Sequence, residues 1–193
     1  LNRKVEAQQL IESSVKLDDG CMARFNLGAF LYDSRQYESA ATHFRHALRL
    51  CRNAAKNGDE EAMEEADIQV RLANSLRKDA RKLPEALALY KEVLKSLKAV
   101  VLPENSEKSV IAAHEMQLGA VLAEIGDLLI SLDRHLEAID VIYESMQIRS
   151  KNGDNSTRLK SRIDYGNALL YAGRLNEAKD QYEIVLKAAP TYV

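Results

Sequence analysis

One spacing recurs along the chain and limits what it can fold into. A glycine or alanine in an apolar-periodic stretch is followed 12 or 13 residues later by an alanine, and four residues beyond stands a bulky apolar residue. A small side chain lets two helices approach closely where they cross, and a fixed count between small positions fixes the turn. The spacing therefore predicts antiparallel helical hairpins. It occurs as Gly28–Ala40–Phe44, Ala73–Ala86–Tyr90, Gly126–Ala138–Ile142 and Gly166–Ala178–Tyr182.

These segments resemble the tetratricopeptide repeat, whose pattern places Leu-Gly before Ala-x3-Phe and a closing Pro. The segment from Tyr165 to Pro190 matches it most fully, whereas the family's tryptophan is missing throughout. The resemblance extends over nearly the whole chain. The long steps between hairpins make the chain similar to the repeats of kinesin light chains and spindle-orientation adaptors. The resemblance implies an all-α, right-handed superhelical solenoid of antiparallel helix-turn-helix repeats.

Periodicity and turn signals also predict the extent of each element. We expect a second helix of a truncated repeat over residues 1–19 and four repeats over 20–58, 59–104, 105–153 and 154–193. Both ends of the sequence resemble interior parts of a longer repeat array, so we expect a fragment of a longer protein. Asp59, Asn105 and Asn155 are the predicted helix N-caps. The predicted helices are Val5–Leu17, Gly20–Asp33, Tyr37–Lys56, Glu60–Ala80, Pro84–Val100, Ser106–Leu132, Leu136–Lys151, Ser156–Ala172 and Asn176–Ala188.

Charge and composition exclude several classes of partner. A formal net charge of -2 does not provide the concentrated basic surface that nucleic-acid phosphates require. No apolar run reaches the roughly 18 residues of a membrane span, and the first residues have no signal-peptide core. Cys21 and Cys51 have neither metal nor redox spacing, which favours free thiols in a reducing compartment over a disulfide. We therefore expect a cytoplasmic protein that does not bind nucleic acid and does not insert into a membrane.

The sequence contains no catalytic motif of the G-x-S-x-G, glycine-rich phosphate loop or H-E-x-x-H kind. The best metal candidate is His43 with His46, one helical turn apart, joined by Cys51. Cys51 lies roughly 140° further around the helix than His46, and no fourth ligand is evident. His114 and His135 are isolated and are interpreted as surface or groove-lining residues. We therefore expect no enzyme activity, cofactor or metal.

The resemblance implies that the first helix of each hairpin lines a concave groove. Asn74 and Asn167 follow the small crossing residues, and an amide there can pair with both backbone groups of an extended peptide. The alternative is that each amide bonds to the neighbouring helix. The lysine that a chaperone-tail carboxylate clamp requires is replaced by Ile163, so that activity is not expected. The predicted groove residues are Phe25, Tyr32, Val70, Arg71, Asn74, Arg77, Lys78, Asp127, Ile163, Asn167 and Tyr171.

These inferences predict a non-enzymatic scaffold that binds a peptide or helical segment of another protein in its groove. Two alternatives stay open. The long helices could act as a structural spacer or self-association module, including a homodimer. The repeats could also recruit substrate for a larger enzyme or serve a motor or ciliary transport complex.

Overall fold

The computed structural model describes residues 2–17, 19–57 and 65–188. In this part of the chain nine α-helices follow one another without a strand, and a 3-10 helix over Ala80–Lys82 precedes the fifth. The predicted all-α class is therefore confirmed for the described residues. The helices are α1 Asn2–Leu17, α2 Cys21–Asp33, α3 Tyr37–Lys56, α4 Glu65–Leu76, α5 Leu83–Ala99, α6 Lys108–Ser131, α7 His135–Asn152, α8 Asn155–Tyr171 and α9 Leu175–Ala188.

The helices pack against their neighbours in sequence, within two compact units. The units are Leu1–Leu89 and Tyr90–Val193, and the division falls inside α5. In the first unit α1 packs on α2, α2 on α3 and α3 on α4. In the second unit α6 packs on α7, α7 on α8 and α8 on α9. Each unit is thus built from stacked helical hairpins, as the spacing predicts.

Most predicted helix ends lie within two residues of the observed ones, but the end of α4 does not. The predicted helix runs to Ala80, whereas α4 ends at Leu76. The Asp79 carboxylate accepts the backbone N–H of Arg81 at 3.0 Å and so caps the short 3-10 helix. This tighter turn takes up the additional residue in the second spacing. The predicted helix start at Glu60, the predicted N-cap Asp59 and the closing Pro190 lie outside the described residues.

Two predicted N-caps are wrong, for local reasons. Asp154 caps α8 instead of Asn155, because its Oδ1 accepts the Thr157 amide at 2.8 Å. Asn105 does not cap a helix because it lies within a turn. A 2.9 Å hydrogen bond from the Ser106 amide to the Pro103 carbonyl closes this turn. Helix α6 therefore begins only after Glu107, whose side chain makes no cap hydrogen bond.

Three of the hairpin turns share one backbone geometry. Each places a single residue in the left-handed region, with φ of 61° at Arg35, 58° at Asp133 and 78° at Gly173. The next amide then donates to a carbonyl five residues back, which satisfies a helix-end acceptor. These bonds join Gln36 to Leu31 at 2.8 Å, Arg134 to Leu129 at 2.9 Å and Arg174 to Leu169 at 2.9 Å.

The three glycines of the spacing mark close helix crossings, as predicted. A Cβ built on Gly28 would lie 2.9 Å from the ring of Phe44. A Cβ built on Gly166 would lie 2.7 Å from the ring of Tyr182. In each case the facing residue is the bulky one, 16 positions later. It occupies the space that a side chain at the glycine would fill, which explains why the small and bulky positions recur together.

Candidate protein-binding surface

The predicted groove residues of the first unit lie on α2 and α4, the first helices of their hairpins. On α4, Val70, Arg71 and Asn74 are spaced so that they share one helical face, which continues into Arg77 and Lys78 just beyond the helix. Arg71 and Lys78 are exposed, and the other three are partly buried. The structure thus brings five predicted residues onto one ridge.

The two predicted aromatic residues of α2, Phe25 and Tyr32, are only partly available to a partner because each packs on α3. The rings of Phe25 and Phe44 lie 5.6 Å apart, and those of Tyr32 and Tyr37 lie 5.3 Å apart, edge to face. The Lys78 ammonium lies 5.7 Å from the centre of the Tyr37 ring, a cation–π contact. We call Tyr32, Tyr37 and Lys78 the basic–aromatic cluster.

Sequence reasoning named two members of this cluster and missed Tyr37. An aromatic residue at the first position of the second helix was the signal that could have revealed it. An open cleft of about 470 Å³ lies beside Tyr37 and Lys78. Arg35 also lines it, while the ammonium of Lys82 is held 3.5 Å from a Glu38 carboxylate oxygen.

In the second unit, Asn167 makes a contact within its own hairpin. The Tyr182 hydroxyl of α9 donates to the Asn167 Oδ1 at 2.8 Å, and burial raises the pKa of this phenol. The amide oxygen of Asn167 thus bonds to the neighbouring helix, which is the alternative that the sequence left open for this residue. Asp127 and Ile163 are exposed on α6 and α8. A role for these residues in binding stays a prediction.

Tyr171, the last predicted residue of the second unit, stacks on His135 of α7. The rings lie 5.9 Å apart and nearly parallel, at 20°, and Tyr171 remains 58% exposed. An open cleft of about 560 Å³ adjoins both residues. His135 and Tyr171 occupy the same repeat positions as Tyr37 and Lys78 in the first unit: three residues before the packing alanine and five after the crossing residue. The same junction therefore carries a ring contact in both units.

The candidate metal ligands His43 and Cys51 contact other side chains. The Nδ1 of His43 lies 3.4 Å from an Arg24 guanidinium nitrogen. Burial, followed by the neighbouring Cys51 thiol, raises the pKa of the Cys21 thiol to about 11. Among the described residues, no three His, Cys, Asp or Glu side chains are grouped to hold a metal ion. Within the same ranges, no helix is both long and apolar enough to cross a bilayer.

Comparison with known proteins agrees with the hairpin architecture. Residues 22–59 match the tetratricopeptide repeat family, which confirms the resemblance at the first complete hairpin. BtubC (BKLC) from P. vanneervenii has 18% sequence identity and a TM-score of 0.76, over 96% of this chain and 73% of that protein. Kinesin-light-chain repeats from P. anserina give 18% identity and a TM-score of 0.73, over 97% and 87% of the two chains. The predicted likeness to kinesin-light-chain repeats is thus confirmed at the level of fold.

The quorum sensor NprR from B. thuringiensis also has this fold, with 15% identity and a TM-score of 0.65 over 97% of this chain and 49% of NprR. A structure of NprR with its cognate peptide NprX gives 16% identity and a TM-score of 0.56, over 97% of this chain and 51% of that one. No curated protein sequence matches the chain.

Proposed function

We propose that this array of tetratricopeptide-like hairpins is a non-enzymatic protein-interaction module of the cytoplasm that holds an extended peptide of a partner protein. The peptide would lie on the α4 ridge of the first unit. The free thiols of Cys21 and Cys51 support a reducing compartment. The NprR complex with NprX supports the proposal in general terms, because it is a peptide complex of a protein with this fold.

The observation that carries the proposal is a pair of cations on the α4 ridge. Among the described residues, no carboxylate forms an ion pair with Arg71 or Lys78. Several other basic side chains of this unit do have a carboxylate partner, as Arg45 has in the two oxygens of Glu85 at 2.7 and 3.0 Å. Exposed cations that have no carboxylate partner within the described residues are suited to acidic groups of another molecule.

The distance between these two cations indicates how far apart the acidic residues of the peptide should be. Arg71 and Lys78 are seven residues apart, two helical turns or about 10.5 Å along the axis. Residues i and i+3 of a polyproline-II peptide lie on one side of it, about 9 Å apart. We therefore expect a partner with acidic residues three positions apart. In the second unit, the exposed Ile163 and Tyr171 of α8 would favour an apolar or aromatic residue of a bound peptide.

A direct test measures binding of fluorescent synthetic peptides that carry Glu at i and i+3, with peptides carrying Glu at i and i+1 for comparison. We expect Arg71→Glu/Lys78→Glu to weaken binding of the first set by at least about tenfold, since two favourable charge pairs become repulsive. Arg49→Glu/Lys95→Glu is the matched control, with the same charge change on exposed positions of the second helices α3 and α5.

Equal loss in both double variants would show a general charge effect and reject the α4 ridge. Failure of every acidic peptide to bind the unmodified chain would reject the peptide chemistry itself. Circular dichroism melting curves confirm that each variant is folded before binding is compared.

A further inference from the structure

Helix α9 carries an exposed stripe at positions that are buried or half-buried in the equivalent helices α3 and α7. The stripe consists of Leu175, Lys179 and Leu186, which lie within about 40° of one another around the helix axis at 100° per residue. Leu175 is 62% exposed and Leu186 is 74% exposed. Next to the stripe, Ala178 and Tyr182 of α9 pack on α8. The two leucines leave apolar area of α9 exposed.

The repeat register shows what such positions normally contact. The positions of Lys179 and Leu186 correspond to Ala41 and Leu48 in α3, which are buried where α3 packs against α4. In α7 they correspond to Ile139 and Met146, which are also buried, and α7 packs against α8.

The position of Leu175 corresponds to Tyr37 and His135, which contact Lys78 and Tyr171 at the next first helix. The stripe is thus a helix-packing face, and within the described residues no helix covers it.

We infer that the α9 stripe docks with the α9 stripe of a second copy of this chain, in an antiparallel two-fold pair. The residue order is self-complementary. When Leu175 of one copy lies against Leu186 of the other, Lys179 lies close to Glu183 of the other copy. Lys179 and Glu183 already lie 3.7 Å apart within one helix, so both side chains point to the same flank. A two-fold axis repeats each of these contacts, as an isologous interface requires.

The expected association is weak because one pair of helices of this length forms a small interface. It buries less than the roughly 1,000 Å² that a stable complex needs. Sedimentation equilibrium from about 5 to about 500 µM chain covers the corresponding range of dissociation constants. We expect a reversible monomer–dimer equilibrium, which Leu186→Glu abolishes. Leu17→Glu, a change of an 89% exposed leucine on α1, is the matched control and leaves the equilibrium unchanged.

A charge exchange makes the test specific for the antiparallel arrangement. Lys179→Glu and Glu183→Lys should each weaken the dimer at least several-fold. The double variant should restore it, because both opposed pairs are rebuilt with reversed sign. The double variant also keeps an opposite-charge pair at i and i+4 within α9, so the helix itself is preserved.

A monomer at every concentration, a dimer that survives Leu186→Glu, or a double variant no better than the single ones would each overturn the inference. If the dimer is rejected, the proposed peptide site on the α4 ridge is not affected, since peptide binding is measured on a different surface and with different variants.

Discussion

Gly126 of α6 lies directly against Ile142 of α7, so that a Cβ on this glycine would overlap Ile142 Cγ1. Ile142 is itself buried, and its Cγ1 is too close to the backbone to move aside freely. Overpacking of this kind costs about 1–3 kcal/mol, which exceeds the roughly 1 kcal/mol of helix propensity that alanine gains over glycine. We expect Gly126→Ala to lower the free energy of unfolding by about 1–2 kcal/mol, and Gly126→Leu to lower it further. Urea denaturation measures both.

Gly119 of the same helix provides the control. A Cβ there would lie 2.9 Å from Arg149 Cγ and 3.2 Å from Ile148 Cγ2, so the overlap is smaller than at Gly126. The gain in helix propensity offsets more of the cost, and Gly119→Ala should lower the free energy of unfolding clearly less than Gly126→Ala does. Equal losses at both glycines would contradict the assignment of Gly126 to the helix crossing.

The hairpin turns give a second prediction, in which substitutions at two equivalent positions change the stability of the protein in opposite directions. Arg35 adopts φ of 61° although it has a side chain, which costs about 1–2 kcal/mol. Gly173 fills the same position with φ of 78°, and a Cβ on it would meet no atom within 4 Å. We expect Arg35→Gly to stabilise the protein by up to about 1 kcal/mol, after the larger chain entropy of unfolded glycine is subtracted. Gly173→Ala should destabilise it by about 1 kcal/mol. Changes of the same sign at both positions would disprove the shared turn geometry.

The fold was predictable because its determinants are local and repeated. The interval between a small and a bulky residue, such as Gly166 and Tyr182, records a helix crossing directly in the sequence. Periodicity then located the helix ends to within a few residues. The end of α4 was less predictable because it depends on hydrogen bonds from Arg81 to the Asp79 carboxylate, whose geometry the residue types alone do not determine.

The candidate site was less predictable because it depends on which side chains meet across helices. The sequence placed Lys78 and Tyr171 on the binding face but did not reveal that each lies against a ring at the start of another helix. Asn167 shows the same limit. Its position after a crossing glycine led to a prediction of peptide binding, with a bond to the next helix as the alternative. Only the position of the Tyr182 hydroxyl decides between the two for the amide oxygen.

The bond between Asn167 and Tyr182 gives a third prediction. Tyr182→Phe removes the hydroxyl and retains the ring on Gly166, so we expect a loss of about 0.5–1.5 kcal/mol of unfolding free energy. Asn167→Ala should cost a similar amount, and the double variant should lose clearly less than the sum because both changes remove one bond. Chemical denaturation of the four proteins completes the cycle. Additive losses would show that the hydroxyl and amide are not coupled in solution.

Acid sensitivity at the α4–α5 connection is the fourth prediction. The Arg81 side chain, helped by its backbone N–H, lowers the pKa of Asp79 from 3.8 to about 2. A carboxylate whose pKa is depressed in the folded state stabilises that state above its unfolded pKa, and this contribution disappears as the pH falls through the folded pKa. The difference in melting temperature between the unmodified chain and Asp79→Asn should therefore be constant above about pH 5 and shrink towards pH 2.

The guanidinium of Arg81 provides the internal control for this prediction. Arg81→Met removes two of the hydrogen bonds to the Asp79 carboxylate, at 3.0 and 2.8 Å, while the backbone N–H bond remains. In this background the pKa of Asp79, followed by NMR through its carboxyl carbon, should move back towards 3.8. Adding Asp79→Asn to it should then change the melting temperature by less at every pH. An Asp79 pKa near 2 in the Arg81→Met protein would show that the ion pair is not the cause of the depressed value.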